Sequence, residues 1–155
     1  MNQKLQWDIK SFDVLSNQEL YELLRLRNEV FIVEQNCIFP DLDGKDQNCY
    51  HLLGRENGIL MAYSRIVPPG ISYEYASIGR ILVSPLGRGK QFGIELMDIS
   101  ILKLEEIYGK SVIRIGAQLY LKKFYESFGF VQSGEIYDED GIDHIEMTRT
   151  NNIVE

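Results

Sequence analysis

The spacing of apolar and polar residues changes several times along the chain, and each change marks a new element. Leu5 to Phe12 alternates and reads as a first strand. Ser16-Asn17-Gln18-Glu19 then has the order of a capping box, in which the Ser hydroxyl and the Glu carboxylate satisfy free amides at a helix start. Leu20, Leu23, Leu24, Val30 and Phe31 follow at helical spacing and predict a helix to about Val33. Asn36 to Asn48, with Pro40 and Gly44, reads as loop. The runs Tyr50 to Arg55 and Ile59 to Val67 flank Asn57-Gly58, two residues that tolerate positive φ, and predict a hairpin ended by Pro68-Pro69-Gly70.

Ile78 to Val83 is the next strand. After the loop Ser84 to Arg88, a helix carries Ile94, Met97, Ile101, Leu104 and Tyr108 in one row and Phe92, Leu96, Ile99 and Leu102 in a second, which predicts burial over a wide arc. Val112 to Ala117 is a short apolar strand, followed by a helix bearing Leu121, Phe124, Tyr125 and Phe128 and stopped by Gly129. Phe130 to Tyr137 and Ile142 to Arg149 form a last hairpin around Asp140-Gly141, whose exposed edge could pair with a second copy as a homodimer. Thr150 to Glu155 is expected to fray. The order βα, three strands, αβα, two strands predicts an α/β (α+β) fold with a mixed, mainly antiparallel sheet and one parallel crossover. With no repeat or linker, residues 1–155 read as a single domain.

The chain is 155 residues long, 45% apolar and 25% charged, the composition of an ordinary soluble protein. The absence of a secretory signal and of a membrane span predicts a cytoplasmic protein with no membrane partner. Cys37 and Cys49 are expected as reduced thiols; with His51 and His144 they lack the spacing of a zinc site, so no metal is expected. The net charge of -7 argues against a nucleic-acid partner and suits a cationic small molecule. Two acidic groups, Asp41, Asp43, Asp46 and Asp138, Glu139, Asp140, Asp143, read as solvated turns.

The stretch IGRILVSPLGRGKQFG, Ile78 to Gly93, carries the most chemistry. A strand runs into a glycine-rich turn that opens a helix, where unpaired amides and the helix dipole favour an anion, and Arg88 and Lys90 add positive charge. A phosphate is the natural guest. The spacing does not match a Walker loop, and a dinucleotide fingerprint starting at Gly87 meets Phe92 at its third glycine and finds no acid after the next strand.

What remains resembles the GNAT family of N-acetyltransferases, whose motif [QR]-x-x-G-x-[GA] is matched by Arg88, Gly89, Lys90, Gln91, Phe92 and Gly93. Gln91 stands at the family's middle glycine, and its backbone N–H still points at the ligand if its φ stays negative. Phe124 to Phe130 resembles the family's Y-x-x-x-G-F signature. The runs LRLRNEVFIVEQNC, IGRILVSP, AQLYLKKFYESFGF and YDEDGIDHIEM are similar to the ElaA-like subgroup in the same order.

The resemblance implies acetyl-CoA as cosubstrate. Its diphosphate would lie on Arg88 to Gly93, and its pantetheine arm would lie between two splayed strands along Ile81, Leu82 and Val83. Gln118 would stand where relatives often place a cofactor-binding Asn. The Val83 N–H would hold the developing oxyanion, and Tyr125 would protonate the leaving thiolate. The acceptor would be a small-molecule or peptide amine, attacking directly in a ternary complex. Glu34, His51 and His144 are candidate bases, Glu34 because the first helix borders the acceptor pocket in the family. Arg27 and Arg80 read as salt-bridged anchors, with a carboxylate on the acceptor as the alternative for Arg27. Two competing readings remain at this point: an acyl-CoA sensor without turnover, and an acyl-homoserine-lactone synthase, which Leu26 to Phe31 also resembles.

Overall fold

The computed structural model describes residues 3–150, so the tail beyond Thr150, expected to fray, lies outside the described residues. The first alternating segment forms β1, Gln6–Ser11. The capping box is made in full: Ser16 Oγ accepts from the Glu19 N–H at 3.0 Å and the Glu19 carboxylate accepts from the Ser16 N–H at 2.8 Å. It starts helix α1, Asn17–Arg27. The helix was expected to run evenly to Val33; instead it widens into a π-helix over Asn28–Glu34, where the N–H groups of Gln35 and Cys37 reach back to the carbonyls of Val30 and Ile32. The segment Val30-Phe31-Ile32-Val33 is mostly β-branched, and such side chains crowd the preceding turn of an ordinary α-helix.

The remaining elements are β2 (Tyr50–Glu56), β3 (Ile59–Val67), β4 (Ser77–Val83), α2 (Phe92–Tyr108), β5 (Ile113–Gln118), α3 (Lys122–Glu126), β6 (Phe130–Glu139) and β7 (Ile142–Arg149). Both predicted hairpin turns form, with positive φ at Asn57 and Gly58 and at Asp140 and Gly141. The strands make two antiparallel sheets, ordered β1-β2-β3-β4 and β5-β7-β6. Among the described residues the two meet at one parallel bridge, Ala76 to Ile113, where the Arg114 N–H reaches the Ala76 carbonyl at 3.1 Å. Past it β4 and β5 diverge, and this divergence makes room for the site. The β4 strand is also bulged: Tyr63 faces Leu82 while Arg65 faces Gly79, and the extra residue, Arg80, has φ +49°.

Helix α2 fills the space behind the sheets with Leu96, Met97 and Leu104 fully buried. Its apolar arc is narrower than the two sequence rows suggested, because Ile94 and Leu102 are about half exposed. The same helix buries Glu95, whose carboxylate accepts from the N–H groups of Lys4 and Leu5 and from the indole of Trp7 and so fixes the entry to β1.

The reading of Asp41, Asp43 and Asp46 as solvated is overturned. Arg27, fully buried, donates to Asp41 at 3.0 Å and Asp46 at 2.8 Å. Arg65 donates to Asp43 at 2.8 Å and 2.9 Å and to the same Asp46 oxygen at 2.9 Å, while Arg80 donates to Asp41 at 2.8 Å. The loop between the π-helix and β2 is thus fastened to the sheet by charge. Arginine is suited to this because its planar fork serves two carboxylates at once. The second acidic group, at the β6-β7 turn, is exposed as read. Among the described residues no helix is long and apolar enough to cross a membrane, and no His/Cys/Asp/Glu group could hold a metal ion.

Candidate active site

Where β4 and β5 part, a cavity of about 920 Å³ opens, lined by β4, β5, α3, the end of the π-helix and the β6-β7 end of the second sheet. The direction of the β4 backbone there follows from one bond. The Ser84 N–H points at β3, where it meets the Met61 carbonyl at 2.7 Å. Because backbone polar groups alternate along a strand, the Val83 N–H is turned the other way, into the cleft. The Val83 carbonyl is turned there too, and Arg88 Nη2 approaches it at 3.4 Å. Ile81, Leu82 and Val83 all line the cavity, although the Leu82 side chain is buried in the core.

The glycine-rich turn lies at the end of this cleft. Gly87 is required by close packing, since a Cβ would come within 2.9 Å of the Phe92 ring. Gly89 has φ +84° and Gln91 φ +64°. The condition of a negative φ at Gln91 is therefore not met: the chain must reverse there to enter α2, and this is where a glycine would serve without strain. A non-glycine residue in that region costs about 1 kcal/mol. Gln91 is the N-cap of α2 and makes no side-chain cap bond, so the first amides of the helix have no side-chain acceptor. The Phe92 side chain is core, with Lys90 Nζ 5.8 Å from its ring centroid; only its backbone, with that of Gly93, faces the turn.

Both cations of the turn are already paired. Arg88 grips Glu34 at the end of the π-helix through two hydrogen bonds, and Lys90 reaches Glu56 at 3.1 Å. The hydrogen bonds from Arg88 hold the Glu34 carboxyl below its ordinary value, which makes it a weaker proton acceptor. All four side chains are substantially exposed.

Tyr125 projects from α3 into the cleft and is 5% exposed, its ring edge-on to Phe124 and Phe130. Burial pushes its hydroxyl above the ordinary tyrosine value, so it holds its proton at neutral pH. Gln118 stands at the end of β5 and donates to Gln35 at 3.4 Å. The other sequence candidates divide. His51 is fully buried, bonded to the Tyr63 hydroxyl at 2.7 Å and the Asp46 carbonyl at 2.9 Å, and burial holds it below its ordinary value; it is a core residue. Arg27 and Arg80 are anchors. His144 borders the cavity. Two further residues line it that the sequence reading gave no role: Tyr73, which lies in no motif, and Tyr137, which opens the family-like run YDEDGIDHIEM.

The sequence matches the family model for an acetyltransferase (GNAT) domain over residues 40–151. It is similar to the protein ElaA of Escherichia coli, 41% identical over 147 residues that cover 94% of this chain and 96% of the relative. The crystal structure of E. coli ElaA superposes with a TM-score of 0.87, covering 94% of this chain and 99% of that one, at 40% identity. An acyl-CoA N-acyltransferase from Pseudomonas aeruginosa superposes with a TM-score of 0.90 at 37% identity and the same coverage. The parted strands, the uncapped helix at the glycine-rich turn and these likenesses agree: the chain belongs to the GNAT acetyltransferase family and has its acyl-CoA N-acyltransferase fold.

Proposed function

We propose that the protein transfers an acetyl group from acetyl-CoA to a primary amine, on a small molecule or a peptide, by direct attack in a ternary complex. The observation that carries this is the alignment along one cleft of three things: an uncapped helix start, an inward-facing N–H at Val83, and a buried tyrosine that keeps its proton. In this reading the diphosphate takes the backbone of Arg88 to Gly93, and Arg88 and Lys90 exchange their carboxylates for it. The pantetheine arm completes the open edge of β4 at Ile81 and Val83, near Gln118. The Val83 N–H holds the oxyanion of the tetrahedral intermediate, a contribution on the order of 3 kcal/mol. As the C–S bond breaks, Tyr125 gives its proton to sulfur and regains one from the amide nitrogen. Glu34 serves as the counter-ion that Arg88 releases. A cytoplasmic location suits the two buried, unpaired thiols.

The test pairs calorimetry of acetyl-CoA binding with a thiol-release assay over a panel of primary amines. Tyr125→Phe is expected to keep acetyl-CoA affinity within about twofold while turnover drops at least about tenfold. Undiminished turnover in that variant removes Tyr125 from the reaction. Binding of acetyl-CoA without release of CoA for any amine would make the protein a sensor.

A further inference from the structure

The second sheet turns one face to the core and the other to the cavity. Ile113, Ile115, Ala117, Ile145 and Met147 are the core face. The residues between them alternate outward: register pairs Gln118 with His144, His144 with Tyr137, and Gly116 with Glu146, so these share the wet face. Gly116 leaves a gap on it. A Cβ there would lie 2.5 Å from the Tyr137 hydroxyl and 3.0 Å from that of Tyr73, so two phenols from different elements converge over bare backbone. They interact with each other, and burial pushes both hydroxyls up, so both stay protonated.

Beside them His144 is held in one tautomer. Its Nδ1 lies 2.8 Å from the Ile142 carbonyl, which can only accept, so Nδ1 carries the proton of the neutral ring and Nε2 carries the lone pair. Nε2 is 3.5 Å from the Glu139 carboxylate, and the ring leans on that of Tyr137 with centroids 5.8 Å apart. The charged and titratable groups around it are Tyr137 and Glu139 from β6, Asp140 from the β6-β7 turn, Tyr73 from the β3-β4 connection and Glu146 from its own strand, the last met by Arg114 of β5 at 3.8 Å, while the end of β5 contributes the neutral Gln118. Lys45 also borders the cavity, with its Nζ 3.2 Å from Ser72 Oγ.

We propose that this Tyr73-Tyr137-His144 corner is the acceptor site, that it takes a primary ammonium drawn in by Glu139, and that His144 is the base. The inference rests on the transferase reading above. The ammonium N–H bond breaks and its proton passes to His144 Nε2, with Glu139 stabilising the imidazolium. The freed lone pair forms the C–N bond at the thioester carbon, the C–S bond breaks, and sulfur takes the Tyr125 proton. The second proton lost by nitrogen restores Tyr125, and His144 releases its proton to solvent. The products are amide, CoA thiol and one proton.

The test uses n-butylamine as the probe acceptor and follows CoA release near pH 7 and near pH 10. His144→Gln is expected to lower kcat/KM for the amine about thirtyfold near pH 7 with acetyl-CoA affinity within about twofold. Near pH 10, where a large fraction of the amine is already neutral, the gap is expected to shrink below about threefold. Glu139→Gln is expected to raise KM for the amine and also to lower kcat, the latter by less than His144→Gln does, because the imidazolium loses its carboxylate partner. A His144→Gln variant as fast as the parent, or equally impaired at both pH values, overturns the assignment and leaves the transferase reading standing. If the unmodified protein binds acetyl-CoA and releases CoA with neither butylamine nor any other primary amine of the panel, the transferase reading falls, and the acceptor site with it.

Discussion

Two groups of cation-carboxylate pairs flank the cleft, and they differ in the one respect that decides what such pairs do. In the loop network the Arg27 side chain is 0% exposed and that of Arg65 4%, with Asp46 shared between them. At the glycine-rich turn Arg88 is 45% and Lys90 49% exposed, each with a single carboxylate partner. A buried charge that loses its partner has no water to replace it, whereas an exposed pair is screened and contributes little. The first group is therefore scaffold. The second holds its place loosely and can yield its cations to a more highly charged ligand. In the proposed reading, similar side-chain chemistry serves structure on one side of the site and exchange on the other.

The sharpest way to break this contrast is to remove one carboxylate from each group. Asp46→Ala leaves Arg27 and Arg65 short of a buried partner and is expected to destabilise the fold by about 3–5 kcal/mol. Glu34→Ala is expected to change stability by no more than about 0.5 kcal/mol. Urea unfolding measures both, and equal losses would show that burial does not separate the groups.

Acid should reveal the same division in two steps. Burial would raise the Asp46 and Asp43 carboxyls, but the hydrogen bonds and charge of Arg27 and Arg65 at Asp46, and of Arg65 with the Lys45 N–H and the charge of Arg80 at Asp43, outweigh it and hold both below their ordinary values. Their contribution is full above the unfolded value of about 3.9 and is lost as pH falls through the depressed folded values. His51 adds an earlier step. Burial depresses its folded value, so below about pH 6.5 the unfolded chain takes up a proton that the folded one refuses, and stability falls. Urea midpoints measured against pH are expected to decline gently below about 6.5 and steeply below about 4. His51→Gln should remove only the first decline; its persistence in that variant would assign it to another group.

The frame of the molecule was legible because its signals are local. The capping box at Ser16, the turns at Asn57-Gly58 and Asp140-Gly141 and the strand-to-helix turn at Ser84 to Gly93 each rest on neighbouring residues. The charge network was illegible because its partners stand far apart in sequence: Arg27 meets Asp41 and Asp46, and Arg65 meets Asp43, only once the loop is laid on the sheet. Seen alone, three aspartates beside Gly44 have the composition of a solvated turn. The φ of Gln91 was illegible for a related reason, since the chain must reverse there to bring Phe92 into the core, which the residue's own preferences do not encode. Tyr73 and Tyr137 needed the missing side chain of Gly116 to become visible as a pair.

The smallest expected effect is the most discriminating. If Glu34 only occupies Arg88 until a diphosphate arrives, then removing its charge while keeping its shape should help binding. Glu34→Gln is expected to tighten acetyl-CoA about two- to fivefold at low salt, the range of an exposed ion pair, whereas Arg88→Gln weakens it. Raising the ionic strength to about 1 M, where the screening length falls to about 3 Å, should shrink the gain, because the pair that Glu34 forms is itself screened. Asp46→Asn, if folded, should show no such gain at any salt, since its arginines stay bonded to Asp41 and Asp43 and lie away from the glycine-rich turn. Calorimetry of the three variants at two salt concentrations makes the comparison. Weaker acetyl-CoA binding in Glu34→Gln would mean that the carboxylate helps hold Arg88 toward the cofactor, and the turn would then be a second fixed scaffold.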